Sequence, residues 1–308
     1  MKENFNHLVE LAMRDAGRAH MRPVIEKELL HYDILFALSE AKLLDTLTFQ
    51  GGTSLRLCHG APRFSEDLDF AGGPGLNTRK LQDIKQCLED YLGSRYGLDV
   101  RVRAPQIRGM DDGPAEPGHT QIAKWRISIQ TAPSRPDLPR QRIKLEVADI
   151  PAYTRDIKSL ARNYPFLPDG YADVLLGVES LDEIMADKLV SLPACVRYVR
   201  HRDIWDLRWL KQQGASPDVA LVERKIEDYG EVRYLDKLRA MIDRLGEIVR
   251  GTPFTQEMSR FIPQDVQDRT LHRNGFGTFL TNEVQGLLRV VEKALDSGTR
   301  ADDSSFPM

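Results

Sequence analysis

Two aspartates stand two residues apart in the run Asp67-Leu68-Asp69-Phe70. Alternate residues of a strand face the same side about 7 Å apart. The pattern therefore predicts both carboxylates on one face, with Leu68 and Phe70 turned to a core. Two carboxylates held that way repel unless a cation sits between them, and oxygen-only ligation suits Mg²⁺ or Mn²⁺. An isolated D-x-D is more often a polar face at a sheet edge, so its surroundings decide. Upstream, Thr46 to Gln50 reads as a short strand, Gly51-Gly52 ends it, and Thr53-Ser54 opens a helical turn. Free backbone N–H groups at a helix start take phosphate, and glycine lets it approach closely. Thr53 and Ser54 add hydroxyl donors. A third carboxylate, Glu146, holds a polar position in the alternating run Ile143 to Val147. Asp149 competes with it, but the alternation breaks before that residue. A glycine turn for a triphosphate beside acids for a bridging metal is the layout of metal-assisted phosphoryl or nucleotidyl transfer. In it Asp67, Asp69 and Glu146 are the metal ligands, and Glu146 is also a candidate base for an attacking hydroxyl.

The elements that must position these groups are legible from periodicity. Val24, Ile25, Leu29, Leu30, Ile34, Leu38 and Leu43 recur at helical steps behind Arg22-Pro23, a plausible helix start. Residues 78–93 read as an amphipathic helix. Leu98 to Ile107, Trp125 to Ile129 and Ile143 to Val147 alternate as strands, separated by the Pro/Gly-rich loops Gly109 to Gly118 and Pro133 to Pro139. Val174 to Val178 is a last strand candidate. Strand after strand with few helices between predicts a small mixed sheet, not a doubly wound parallel one. Ser180-Leu181-Asp182-Glu183 has the form of a capping box. From there to about Ala294 the chain reads as helical, with breaks near Gly214, Gly230, Gly251 and Gly275, and Asp296 to Met308 reads as a fraying tail.

Composition sets outer limits. The chain has 308 residues, a length for about two domains. Its 43 basic and 46 acidic residues leave a net charge of −3. That excludes a globally basic nucleic-acid binder but not a local basic patch. Three cysteines without a CxxC pair argue against a disulfide framework or a structural zinc site. No signal-like apolar segment follows Met1-Lys2-Glu3-Asn4, and no stretch nears the roughly 18 apolar residues of a membrane span. A cytoplasmic protein is expected.

Gly51-Gly52, Asp67-Leu68-Asp69 and Glu146 together resemble the hG[GS]…Dh[DE]h…h[DE]h signature of the polymerase-β nucleotidyltransferase superfamily. The fuller string GGTSLRLCHGAPRFSEDLDF resembles the first motif of the nucleotidyl transferase AbiEii/AbiGii toxin family. Two later stretches are similar to that family's helical motifs: Glu183-Ile184-Met185-Ala186-Asp187-Lys188-Leu189, and Arg202-Asp203-Ile204-Trp205-Asp206-Leu207. The likeness spans roughly residues 25–210. It departs from the superfamily pattern at Gly52, where serine is common, which leaves open whether Thr53 or Ser54 takes the phosphate role.

The resemblance implies an α+β fold. A polymerase-β-like nucleotidyltransferase domain over 1–178 would precede a helical domain over 179–297 and a flexible tail over 298–308, with the active site between the domains. It implies Mg²⁺ or Mn²⁺ on Asp67, Asp69 and Glu146, and an NTP held by Gly51, Gly52, Thr53, Ser54, Arg56, Lys188 and Asp206. Lys188 would stabilise triphosphate charge, and Asp203, three residues before Asp206 on one helical face, would orient it. Lys188 read alone is more often a snorkelling lysine paired with a neighbouring acid. The crowding of Arg197, Arg200 and Arg202 could meet phosphates of a nucleotide or an RNA. Read alone, it is a solvated basic face. The family implies a toxin of a toxin–antitoxin or abortive-infection system active in phage defence, neutralised by an antitoxin encoded alongside. The expected acceptor is the tRNA 3′ end. The rivals are a protein hydroxyl, a small-molecule acceptor, and a nucleotide-binding module without turnover.

Overall fold

The two longest strands form where apolar and charged residues alternate, and each buries its apolar side. The computed structural model describes residues 2–76, 78–105, 120–134 and 137–303. These form two compact units, residues 2–179 with 260–264, and residues 180–259 with those from 265 onward. The first contains α1 (Phe5–Ala12), α2 (Arg22–Glu40), β1 (Thr48–Gln50), α3 (Gly51–Cys58), β2 (Leu68–Ala71), α4 (Ile84–Tyr96), β3 (Val100–Arg103), β4 (Ile122–Ile129), β5 (Gln141–Ala148), β6 (Asp156–Ser159) and β7 (Leu175–Val178). The strands make one mixed sheet in the order β3-β4-β5-β2-β1-β7-β6. β2 pairs parallel with β5 and β1 parallel with β7, while the other neighbours are antiparallel.

The apolar face is built by Ala123, Trp125, Ile127 and Ile129 of β4 and Ile143, Leu145 and Val147 of β5, all buried. Helices α2 and α4 pack on each other and reach β5 and β3 respectively. Each fully buried large apolar side chain contributes roughly 1.5–3 kcal/mol, so this layer is the main source of stability here. Helix α2 starts at Arg22-Pro23, where proline costs no helix hydrogen bond. It carries charges into the core as well: Glu28, His31 and Asp33 are all about 1% exposed. Asp33 accepts from Tyr96 at 2.9 Å and also from Tyr171, with Arg95 3.1 Å away.

The second unit holds α5 (Leu181–Ala194), α6 (His201–Gln212), α7 (Val219–Asp228), α8 (Tyr234–Arg250), α9 (Thr252–Ser259), α10 (Gln264–Arg269) and α11 (Phe276–Asp303), the first residue of α10 lying in the first unit. Ser180 caps α5 by accepting the Glu183 N–H at 3.2 Å, the capping box read from the sequence. Lys225 of α7 is wholly buried and pairs with Glu183 at 2.7 Å and Asp187 at 3.2 Å on α5. Helices α8 and α11 pack along their lengths. Gly214, Gly230 and Gly275, at three of the expected breaks, have positive φ.

Several boundaries differ from the sequence reading. The helix expected over 78–93 starts at Ile84, after a single 3₁₀ turn at Thr78–Leu81. Helix α11 extends to Asp303, past the Asp296 where the sequence reading ends the helical run. The sequence reading does not include helix α1, whose Phe5, Val9 and Ala12 are buried at helical spacing, or strand β6, only four residues long. The loop Gly109 to Gly118 and the end of the strand read to Ile107 lie outside the described residues.

Arg56 needs a larger correction, because its guanidinium is committed to the core and not to a nucleotide. It donates to both oxygens of Glu28, at 2.8 and 3.0 Å, and to the Ala61 carbonyl at 3.1 Å. It also stacks 4.2 Å from the centre of the Phe64 ring. Removing one partner of such a buried pair leaves an uncompensated charge and costs roughly 3–5 kcal/mol. Arg56→Ala should therefore lower unfolding stability by about that amount. The double variant Arg56→Met/Glu28→Leu should recover most of the loss, as checked by denaturant titration.

Candidate active site

The register of three strands assembles the acids. Asp69 on β2 lies opposite Glu146 on β5 and, on its other side, opposite Gln50 on β1. Leu68 and Phe70 are buried, as the alternation requires. Asp67 stands just before β2, and its carboxylate accepts the Lys144 backbone N–H at 3.2 Å. The three acids are thus neighbours on one face of the sheet, at its central strands. Asp67 and Glu146 keep 29% and 22% of their side chains exposed, enough to meet a ligand.

The glycine turn abuts the same acids. Gly51 has φ +77°, a conformation strained for any side chain, and a methyl group there would sit 2.9 Å from Asp69 Oδ2. Gln50 gives α3 no side-chain cap, so the first N–H groups of the helix are not met by one. At Gly52 an added methyl would lie 2.5 Å from Arg63 Nη2 and 3.0 Å from Ser65 Oγ. Thr53 and Ser54 are brought here too, but their hydroxyls are already used. Thr53 Oγ1 donates to the Asp67 carbonyl, and Ser54 Oγ donates to the Gly51 carbonyl at 2.8 Å. Both side chains are buried and brace the turn.

A divalent cation is implied by this donor set. The set is oxygen-only, and Gln50 Oε1, level with Asp69, is buried without a hydrogen-bond partner among the described residues. Hard divalent cations take such donors. Among the described residues no three His, Cys, Asp or Glu side chains already converge on one point. Lysines instead balance the acids: Lys144 Nζ lies 3.3 Å from Asp67, and Lys124 Nζ 2.8 Å from Glu146. Asp67 is the main cause that raises the Lys144 pKa above its ordinary value. The residues fit the group, with the two lysines as the charges it would displace.

A second layer supports the acids from α2. His31 Nε2 lies 3.0 Å from the Glu66 carbonyl and Lys27 pairs with the Glu66 carboxylate at 2.5 Å, which together hold the residue before Asp67. Glu179, directly after β7, is wholly buried and donates its N–H to the Phe49 carbonyl at 3.1 Å. Arg63, Lys124, Lys144, His31 and Glu179 were not singled out from the sequence. Only the lysines carried a signal, their place at polar positions of strands flanking Glu146.

The second unit gathers the remaining predicted residues. Lys188 on α5 is 6% exposed and sits between two acids of α6, 2.9 Å from Asp203 Oδ1 and 2.9 Å from Asp206 Oδ2. Asp203 also accepts from Ser191 at 3.1 Å and from Arg200. Burial alone would raise the Asp203 pKa, but Lys188 and Arg200 outweigh it and hold the carboxylate far below its usual range.

Residues 33–289 match the family described as nucleotidyl transferase AbiEii toxin, type IV TA system. The chain belongs to this family, and it is a nucleotidyltransferase of the toxin–antitoxin class, which implies an antitoxin partner. No curated protein matches it. Among solved structures it is similar to MenT4, a nucleotidyltransferase toxin from Mycobacterium tuberculosis H37Rv. That likeness has 21% identity over 80% of this chain and 72% of that one, with a TM-score of 0.48. It is also similar to JHP933 from Helicobacter pylori, at 16% identity over 91% of this chain and 97% of that one, with a TM-score of 0.47. No described helix is long and apolar enough to cross a membrane.

The buried imidazole behind Asp67 gives a pH signature. Burial pushes His31 down to about 4, against a smaller opposing pull from the Glu66 carbonyl and Glu28. Between pH 6.5 and 4 the unfolded chain then binds a proton at His31 that the native one does not, so stability is lost as pH falls through this window. Burial raises Asp33 to about 6, which acts in the opposite direction. Replacing His31 isolates its own share. His31→Gln should flatten the fall in unfolding free energy between pH 6.5 and 4.5, relative to wild type, by roughly 1–3 kcal/mol. Denaturant titrations at both pH values would measure it.

Proposed function

We propose that this toxin transfers a nucleoside monophosphate from an NTP to the 3′ end of a tRNA, in the cytoplasm where both are abundant. The observation that carries the reading is the level row Glu146, Asp69 and Gln50, with Gly51 pressed against Asp69. A glycine turn against a hard-oxygen cluster supports nucleotide phosphates bound beside a metal.

In this mechanism the acceptor hydroxyl oxygen attacks the α-phosphorus. A new P–O bond forms, the α–β bridging bond breaks and pyrophosphate leaves. Mg²⁺ held by Asp67, Asp69 and Glu146 would supply Lewis-acid neutralisation of the phosphate charge when bound. The N–H groups of Gly51, Gly52 and Thr53 hold the phosphates, with Arg63 adding positive charge behind Gly52. Glu146 takes the proton of the attacking hydroxyl.

Incubation with total tRNA, Mg²⁺ and each labelled NTP in turn tests this. Label should enter tRNA from one NTP, and Asp69→Asn should reduce incorporation at least about 10³-fold while the melting temperature holds, since it removes a metal ligand and not a core contact. Label that enters protein and not tRNA would move the acceptor to a protein hydroxyl. A folded Asp69→Asn variant with full activity would refute the site.

A further inference from the structure

The sheet face that bears the acids continues across β5, β4 and β3 as a field of cations. Arg103 lies opposite Arg126, Arg126 opposite Lys144, Arg101 opposite Ser128, Ser128 opposite Arg142, and Lys124 opposite Glu146. Side chains level with one another in a ladder share a face, so all six cations project to the side away from the apolar core. Their alternates Val102, Trp125, Ile127, Ile143 and Leu145 are buried, whereas Arg101, Arg103, Arg126, Arg142 and Lys144 are exposed.

This arrangement is costly for the fold alone. Like charges directly opposite across strands are destabilising, yet Arg103, Arg126 and Lys144 form an unbroken row over three strands. The chain as a whole has more acids than bases, so composition does not force cations here. Lys124 and Lys144 pair with Glu146 and Asp67, and Arg101 with Asp99. Arg103, Arg126 and Arg142 have no acidic partner among the described residues.

We propose that this face binds the phosphodiester backbone of the acceptor RNA and leads its end to Asp67, Asp69 and Glu146. The inference rests on the RNA-acceptor reading above and adds the track the strand follows. From Arg142 to Glu146 along β5 is about 13 Å, and from β5 to β3 about 10 Å. That area is wider than the phosphates of one nucleotide need, and those have their own seat at Gly51-Gly52. It suits several successive phosphates of one strand. The only aromatic residue of β3, β4 and β5 is Trp125, which is buried, so this face offers charge and not base stacking. Contacts of this kind position a nucleic acid without reading its sequence.

The test is the salt dependence of binding of end-labelled tRNA, followed by fluorescence anisotropy. Affinity falls with salt by a slope of about 0.7–0.9 per phosphate contact. The triple variant Arg103→Ser/Arg126→Ser/Arg142→Ser should therefore lower the slope by about 2–3 and weaken binding at low salt at least tenfold. Affinity for a fluorescent NTP analogue should stay unchanged, and Arg103→Lys/Arg126→Lys/Arg142→Lys should restore the slope. A wild-type slope that the serine variant leaves intact would overturn this track while sparing the RNA acceptor. No salt-dependent tRNA binding by the wild type would overturn the acceptor reading and this inference with it. A serine variant that binds tRNA normally but escapes its antitoxin would make the face a protein interface and refute the proposal.

Discussion

The parallel pairing of β2 with β5 sets Asp69 level with Glu146, and the antiparallel pairing of β2 with β1 sets Asp69 level with Gln50. A slip of one residue in either ladder would turn the acids toward the core and Leu68 or Leu145 toward water. Burial of Leu68, Phe70, Leu145 and Val147 therefore holds the site against such a slip, which would expose them. The tight turn at Gly51 depends on the same register, since it must pass within van der Waals range of the Asp69 carboxylate. Packing energy on one face of the sheet is converted into placement of charge on the other.

Charge compensation governs the rest. Two of the three acids have a cation within reach, Lys144 for Asp67 and Lys124 for Glu146, so like charges are held close without a ligand. In the second unit Lys188 is enclosed by Asp203 and Asp206, and Lys225 by Glu183 and Asp187. Buried pairs of this sort add little net stability but make the loss of either partner expensive. They fix geometry: α5 carries Glu183, Asp187 and Lys188, and ion pairs tie it to α7 on one side and α6 on the other. Arg56 and Glu28 do the same between α3 and α2.

Much of this was legible in the sequence, and the misses have physical causes. Two-residue alternation put Asp67, Asp69 and Glu146 on one face, because a half-buried strand writes its two faces into the chain directly. The capping box at Ser180 and the glycine breaks were readable for similar local reasons. Arg56 was misassigned because a basic residue one turn after the glycines looks like a phosphate ligand. Its true partner, Glu28, lies 28 residues earlier and is hidden among the apolar residues of α2. Arg63 at Gly52 and His31 behind Glu66 were silent because their contacts depend on tertiary folding. The basic face could not be seen at all from composition. Its residues alternate with apolar ones on three separate strands, and only the ladder register brings them together.

The central claim is that the acids at β2 and β5 and the turn at Gly51 form one nucleotide and metal site. Crystals grown with Mn²⁺ and a non-hydrolysable NTP analogue, measured at a wavelength where manganese scatters anomalously, test it most directly. The account predicts an anomalous peak ligated by Asp67 and Asp69, with the analogue's phosphates against the N–H groups of Gly51 and Gly52. A peak elsewhere, or phosphates bound away from that turn, would contradict it.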